Sequence, residues 1–380
     1  MPMDTGIALL LFAGGKENSQ AEALVTGARR AAALDTIATA RDIPDIGRII
    51  VSTDSPDFAH QLNRQHVQVE LDDPDEPFHF GRRLQSIITQ FQVRKALYMG
   101  AGSGVLLSPS QLAGIVSKLK NAERLLLVNN HYSTDFAAFT PGDVVLSIEP
   151  PPTDNNLSFR LAEAGLEPNL LPRSAATMLD IDTPTDLMTA ILHPQLGSHT
   201  RQYIEAAGLD VTRVRRIIAI LQDSTAELFV LGRVASSAFA YLETRTSCQT
   251  RLLCEERGMR ASGRQARGEV RSLAGLCVTE WGPHRFVRAL SCLCDGALID
   301  SRVLFAHRGP WPSTEDRFNS DLLRPENIRD PVVRQFTEAI QEATIPVLLG
   351  GHSLVSGGLY ALVEASQNNL VRESRGCTDG

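Results

Sequence analysis

The chain has 380 residues, of which 43% are hydrophobic and 21% charged, with a formal net charge of -7 and a pI of 5.8. That is ordinary globular composition, long enough for two domains, and its acidic balance excludes a general nucleic-acid footprint. Ile7–Phe12 is apolar but too short to cross a bilayer and follows no basic segment, so neither a signal peptide nor membrane contact is expected.

From the amino terminus, a strand is expected over residues 7–12, then a glycine turn, Ala13-Gly14-Gly15-Lys16. A helix over 21–41 leads to a strand at 48–52 that ends in Thr53-Asp54. Residues 57–64 read as helix, 67–71 as strand, 72–77 as an acidic loop, 84–91 as helix and 95–99 as a buried strand. Ser108 and Pro109 are a helix cap and first position for 108–119, and 124–128 is a further strand. A helix at 159–164 and the segment 168–173 follow. Strands alternating with helices predict a mostly parallel, three-layer α/β sheet, with ligands at the strands' carboxyl ends.

The run Met178-Leu179-Asp180-Ile181-Asp182-Thr183-Pro184-Thr185-Asp186-Leu187 reads as a strand end carrying two carboxylates, then a helix start. Thr183 fits the cap, Pro184 the first helical position, and Asp186 the first turn. Asp180 and Asp182, two apart on extended backbone, project from one side and suit Mg²⁺; Asp182 equally suits orientation of the turn. His193-Pro194-Gln195-Leu196-Gly197 marks a boundary, giving a first domain over 1–195 and a second over 200–368, with a polar, frayed tail from 369.

In the second half, strands are expected at 227–231, 249–254, 297–306 and 345–349, and helices at 200–207, 237–244, 285–293, 330–343 and 357–366. Arg213, Arg215 and Arg216 suit a solvated helix face. Residues 259–268 are rich in Arg and Gly and suggest a mobile loop. The second domain is thus a smaller α/β unit. All six Cys lie at or beyond position 248; Cys292 and Cys294 read as buried apolar residues in a reduced, cytoplasmic protein.

Three pieces of the first half resemble nucleotidyltransferases of the glycosyltransferase-A-like (Rossmann-like) fold, of the molybdenum-cofactor and phospholactate guanylyltransferase type. Phe12-Ala13-Gly14-Gly15 is similar to their L-x-A-G-G nucleotide loop. Ser52-Thr53-Asp54 resembles the end of their second strand, and Asp180–Leu187 their D-x-D/N-T-P-E-D-L run. The resemblance implies that Ala13, Gly14 and Gly15 wrap nucleotide phosphates; the candidates left in this chain to supply charge are Lys16, Arg29 and Arg30. It implies Mg²⁺ on Asp180 and Asp182, Asp182 and Lys16 in catalysis, and an acceptor loop at Ser133 and Thr134. The chain departs from the family in two places. The glycine loop continues Lys16-Glu17-Asn18-Ser19-Gln20, without the family's Arg and Pro-Lys pair. Gly100-Ala101-Gly102-Ser103 stands where the family has G-D-x-P and its metal-binding Asp.

No family is recognised beyond residue 205. Polar residues nevertheless gather at expected strand ends: Gly232-Arg233, Glu255-Glu256-Arg257, Asp300 to Arg302, His307, and Gly350-Gly351-His352-Ser353. Arg257, His307, Gly351, His352 and Ser353 are candidate contacts for a phosphate or carboxylate, and the loop Arg257–Arg271 is a candidate closure over it. Turns, caps and solvated charges account for the same residues individually. Two functions follow as expectations. One is an enzyme that transfers a nucleoside monophosphate from a nucleoside triphosphate to a small phosphorylated acceptor, with a homo-oligomer as a candidate state. The other is a non-catalytic nucleotidyltransferase-like scaffold whose second domain binds a small anion.

Overall fold

A computed structural model describes residues 6–65 and 67–376. The first stretch of chain forms β1 (Ile7–Phe12), α1 (Gln20–Arg41), β2 (Arg48–Thr53), α2 (Pro56–Leu62), β3 (Gln68–Leu71), α3 (Phe80–Gln90) and β4 (Lys95–Gly100). It continues with α4 (Pro109–Asn121), β5 (Leu125–Val128), β6 (Phe136–Thr140), α5 (Leu157–Glu163), β7 (Pro168–Leu170), α6 (Ala175–Met178) and α7 (Pro184–Ala190). Then come α8 (Ser198–Ala206), α9 (Thr212–Gln222), β8 (Glu227–Gly232), α10 (Ser236–Arg245), β9 (Gln249–Cys254), α11 (Leu273–Trp281) and α12 (Pro283–Ser291). The last elements are β10 (Gly296–Asp300), α13 (Ser301–Arg308), α14 (Thr314–Asp321), α15 (Pro331–Gln341), β11 (Val347–Gly350) and α16 (Gly357–Gly376).

The chain divides into two compact units. One comprises the residues up to Lys16, Thr26–Asp180 and Gly197–Tyr203; the other comprises Glu17–Val25, Ile181–Leu196 and the residues from Ile204 onward. The division falls between Asp180 and Ile181 rather than at 193–197, so α7 groups with the second sheet.

The first unit holds a seven-stranded sheet in the order β3-β2-β1-β4-β6-β5-β7. Its pairings are parallel except around β6, which is antiparallel to both β4 and β5. Alternate residues of each strand feed opposite faces, as the pleat requires. Leu9, Leu11, Leu97 and Met99 pack with Ile37 of α1, Phe58 of α2 and Leu112 of α4. Ala8, Leu10, Ala96 and Tyr98 pack with Leu84 of α3 and Leu157 of α5. The expected three-layer, mostly parallel α/β sheet is present. Strand order reverses direction between β1 and β4, which makes that edge the switch point.

The second unit holds a four-stranded, wholly parallel sheet in the order β11-β10-β8-β9, with its switch point between β8 and β10. Leu231, Ile299 and Leu349 face Phe286 and Leu290 of α12 and Phe336 and Ile340 of α15. On α9 the apolar stripe Val214, Ile217, Ile218 and Leu221 is buried, and a Cβ at Gly296 would lie 2.6 Å from Ile220 Cδ1. No helix among the described residues is long and apolar enough to cross a membrane.

Several elements differ from the sequence pattern. Residues 297–306 are not one strand: β10 stops at Asp300 and Ser301 starts α13. A short apolar run cannot by itself distinguish strand from buried helix. Met178 ends the four-residue helix α6 rather than a strand. β6, α11 and α14 were not anticipated, and of α9 only the basic face at Arg213, Arg215 and Arg216 was. Arg213 is more than a solvated face: Nη1 and Nη2 donate to the carbonyls of Ile340 and Gln341, closing the end of α15. The Arg-rich loop is pinned by Met259 and Val270, which bury themselves with Ala306, and by an Arg264–Glu256 ion pair at 2.8 Å. Cys292 is exposed, while Cys294 is buried, its thiol pushed up to about 11 by burial. The tail expected to fray after Gln367 continues α16 to Gly376, and residues 377–380 lie outside the described residues.

Candidate functional site

At the switch point of the first sheet, β1 ends in the glycine turn. The Ala13 N–H donates to Ser52 O, and Thr53 Oγ1 donates to Ala13 O. Thr26 Oγ1 donates to Lys16 O at 2.9 Å. A Cβ at Gly15 would lie 2.8 Å from Thr26 Oγ1, so only glycine fits there without displacement. The Gly15 N–H points at a carboxylate: it donates to Asp54 Oδ2 at 3.1 Å and Oδ1 at 3.3 Å. The turn therefore offers a donor to an anion, and exposed Asp54 holds it. Lys16 is exposed beside it, and Arg29 is half-buried on α1.

Across the switch point, Tyr98 on β4 is 1% exposed and donates its hydroxyl to Asp154 Oδ2 at 2.8 Å. Burial holds the phenol well above its usual pKa, reinforced by Asp154, Asp135 and Asp180. One carboxylate thus touches that hydroxyl, and two more act on it through charge alone. Ser103 fixes the segment by donating Oγ to Gly100 O and Asp135 O, each at 2.9 Å, and pairs with Asp180 through an antiparallel bridge. Asp135, the last residue of the acceptor-loop run that also holds Ser133 and Thr134, and Asp154 were not singled out in the sequence because neither stands at a spacing that marks a ligand. They lie 19 residues apart and meet only through the loops after β5 and β6.

Ser133 and Thr134 are engaged in the loop itself. Ser133 Oγ donates to Asn155 Oδ1 at 2.7 Å, and buried Thr134 donates to Asn130 O and accepts from the Ser158 N–H. Among the described residues, no three His, Cys, Asp or Glu side chains gather as a metal cage. Mg²⁺ demands less, since it is held by one or two carboxylates plus substrate phosphates and keeps several waters. The carboxylates around Tyr98 fit that requirement.

The second unit concentrates buried charge at its own switch point. Gly232 ends β8 at φ +128°, where a Cβ would lie 2.3 Å from Asp300 Cβ. That approach lets Arg233 grip Asp300 twice, with Nε–Oδ2 at 2.6 Å and Nη2–Oδ1 at 3.0 Å. Burial opposes ionisation of Asp300; Arg233 more than offsets it and holds the pKa below the usual carboxylate range. Arg302 pairs with Asp321 in the same bidentate manner, at 2.5 and 2.6 Å. Burial pushes Asp321 up to about 6 against the pull of Arg302, so the pair is ionised at pH 7.

Asp186 holds the third node. Its Oδ2 accepts from Asp182 N, Thr183 N, Thr183 Oγ1 and Ser353 Oγ, tying the N-cap of α7 to the turn after β11. Its Oδ1 is buried without a partner, and burial together with Asp182 raises its pKa to about 7. Gly351 lies against Thr183, where a Cβ would come within 3.2 Å of Thr183 Cγ2. His352 is exposed. Crowding by protein and the Arg233 guanidinium lower its pKa, against Asp300 and Asp182, so the ring is neutral at pH 7.

The two acids of the D-I-D run therefore keep different company: Asp180 with Ser103 and Tyr98, Asp182 with Asp186 and His352. His307 is not at a strand end; it sits on α13 and accepts the Ser272 N–H at Nδ1. Arg257 is exposed in the loop after β9, where its carbonyl accepts from Arg264. Glu255 caps α11 by accepting from Ser272 Oγ and the Leu273 N–H.

Fold and sites define an α/β protein with two parallel-sheet switch points, the first glycine-lined and acidic, the second built of buried ion pairs. No known protein family matches the sequence, and no curated protein matches it. Solved structures overlap part of it. One, assigned as a nucleotide-diphospho-sugar transferase, from Desulfovibrio desulfuricans, is 13% identical, covering 53% of this chain and 95% of its own, with a TM-score of 0.39. A nucleotidyl transferase from Methanothermobacter is 12% identical, covering 53% and 98%, with a TM-score of 0.38. A cytidylyltransferase from Leptospira borgpetersenii is 14% identical, covering 53% and 94%, with a TM-score of 0.37.

Proposed function

We propose that the protein is a nucleotidyltransferase-type enzyme, of the molybdenum-cofactor or phospholactate guanylyltransferase kind, whose first unit binds a nucleoside triphosphate at the β1/β4 switch point. The observation that carries the reading is the Gly15 N–H presented to an anionic group at the mouth of a carboxylate-lined rim. Nucleotide phosphates would take the N–H groups of Gly14 and Gly15, with Lys16 beside them, while the Ala13 N–H stays with Ser52 O. Asp180, with at most one neighbouring carboxylate, would hold Mg²⁺ together with the substrate phosphates, and the ion would neutralise phosphate charge. An oxygen of the acceptor's phosphate would attack the α-phosphorus, and the bond to pyrophosphate would break as pyrophosphate leaves. The chain's own work in that step is positioning and charge compensation.

Isothermal titration of the full chain with GTP, CTP, ATP and UTP, each with Mg²⁺ and again with EDTA, tests this. Binding of at least one triphosphate, lost in Gly15→Val, is expected. Absence of heat with all four removes the reading. One observation favours a second reading, a first unit retained as a non-catalytic scaffold: Asp54 already occupies the Gly15 donor, and residues 101–103 carry no carboxylate. Triphosphate binding without pyrophosphate release across a panel of phosphorylated acceptors would support that second reading.

A further inference from the structure

Beside β11, the edge strand of the second sheet, lies a cavity of about 200 Å³. Its walls come from α7, α9, β11 and the ends of α14 and α15, all within the second unit. Met188, Val214, Val347 and Leu348 give it an apolar side, and all four are buried. Leu323 lines it from a left-handed backbone, φ +54°, which a bulky apolar residue adopts only where its surroundings hold it. Such strain gathers at ligand clamps and active sites. Leu323 O accepts from Gln341 Nε2 at 3.4 Å, which joins two of the walls.

The polar side carries both signs of charge. Asp210 and Arg213 line the same cavity and stand three residues apart at the start of α9, so their Cα atoms are at most about 11 Å apart. Asp210 Oδ1 accepts from the Thr212 N–H at 2.8 Å. The Arg213 fork donates one N–H to each of the Ile340 and Gln341 carbonyls, at 3.1 and 2.8 Å. A guanidinium has about five N–H donors, so about three remain. Among the described residues neither Asp210 nor Arg213 forms an ion pair, with the other or elsewhere. The other carboxylate at the cavity, Asp321, is committed to Arg302 on both oxygens. One cation and one anion thus line a single, partly desolvated space without neutralising each other.

We propose that this cavity binds a small zwitterion, an apolar α-amino acid, with its carboxylate on Arg213, its ammonium on Asp210 and its side chain against Met188, Val214 and Leu348. A guanidinium fork matches the two oxygens of a carboxylate, and a carboxylate accepts from an ammonium. A singly charged ligand would leave one of the two protein charges without a partner in a partly desolvated space. A cavity of about 150 Å³ takes a benzene-sized molecule, so about 200 Å³ takes roughly eight to ten non-hydrogen atoms, the size of valine or leucine. The site lies wholly within the second unit and does not depend on triphosphate binding by the first.

Calorimetric titration of the full chain tests this with L-leucine, with isocaproate, which lacks the ammonium, and with isoamylamine, which lacks the carboxylate. L-Leucine is expected to bind saturably, and each singly charged analogue about tenfold or more weaker, the scale of one lost charge-assisted contact. Asp210→Asn weakens leucine by a similar factor and leaves isocaproate unchanged. Arg213→Gln weakens leucine and leaves isoamylamine unchanged. Asp210 is exposed, and Asn keeps the oxygen that accepts from Thr212, so this variant guards against a folding defect in the other. No heat with leucine, an analogue that binds as tightly as leucine, or a leucine affinity unchanged in both variants overturns the proposal.

Discussion

Ser353 Oγ donates to Asp186 Oδ2 at 2.8 Å across 167 positions of sequence, both side chains buried. Four donors converge on that one oxygen and favour its ionised form, while Oδ1 has no partner. Burial and Asp182 raise its pKa to about 7, above the ordinary value near 4. Between about pH 4 and 7 the unfolded chain loses this proton and the folded chain keeps it. The contribution is thus fully present below about pH 4 and lost as pH rises through 7. Denaturant unfolding at several pH values is expected to show a slope in this window that Asp186→Asn flattens.

The Arg302–Asp321 pair should behave as buried ion pairs do. Arg302→Met alone strands a carboxylate and is expected to cost about 3–5 kcal/mol. Adding Asp321→Leu should recover most of that loss, because desolvation of both charges disappears together. Urea unfolding of the two singles and the double measures the coupling, and additive losses would contradict the buried-pair account.

Gly232 should refuse any side chain. At φ +128° an L-residue is strained, and the Cβ would overlap Asp300 at 2.3 Å. Gly232→Ala is expected to lose about 1–3 kcal/mol for the backbone alone, plus displacement of Asp300 from Arg233. A fall in melting temperature is the readout; Ala at ordinary glycines stabilises or is neutral.

Asp54 should compete with phosphate for Gly15. Replacing it with Asn removes a like charge at an exposed site, worth about 0.2–1 kcal/mol. Triphosphate binding in EDTA is expected to tighten about two- to fivefold in Asp54→Asn, measured by calorimetry. Weaker binding would mean that Asp54 serves the nucleotide rather than excluding it.

Much of the architecture follows from local chemistry. Strand runs such as residues 7–12 and 95–99 are apolar on both faces and lie between helical segments, which is how a sheet covered on two sides must read. The caps are equally local: Ser108 with Gln111, and Thr183 with Asp186, are reciprocal pairs three residues apart. What those caps do next is not local. Asp186 suits any first turn, and only the return of the chain at Ser353 turns it into a buried hub. The acids at 180 and 182 look like a pair because extended backbone repeats every two residues; the tertiary contacts give them different neighbours. Asp135 and Asp154 carry no spacing signal, since loop ends meet through the sheet rather than along the chain. Periodicity and capping are short-range and survive in one dimension. Charge balance and convergence depend on which distant residues share a desolvated space, and only the folded chain decides that.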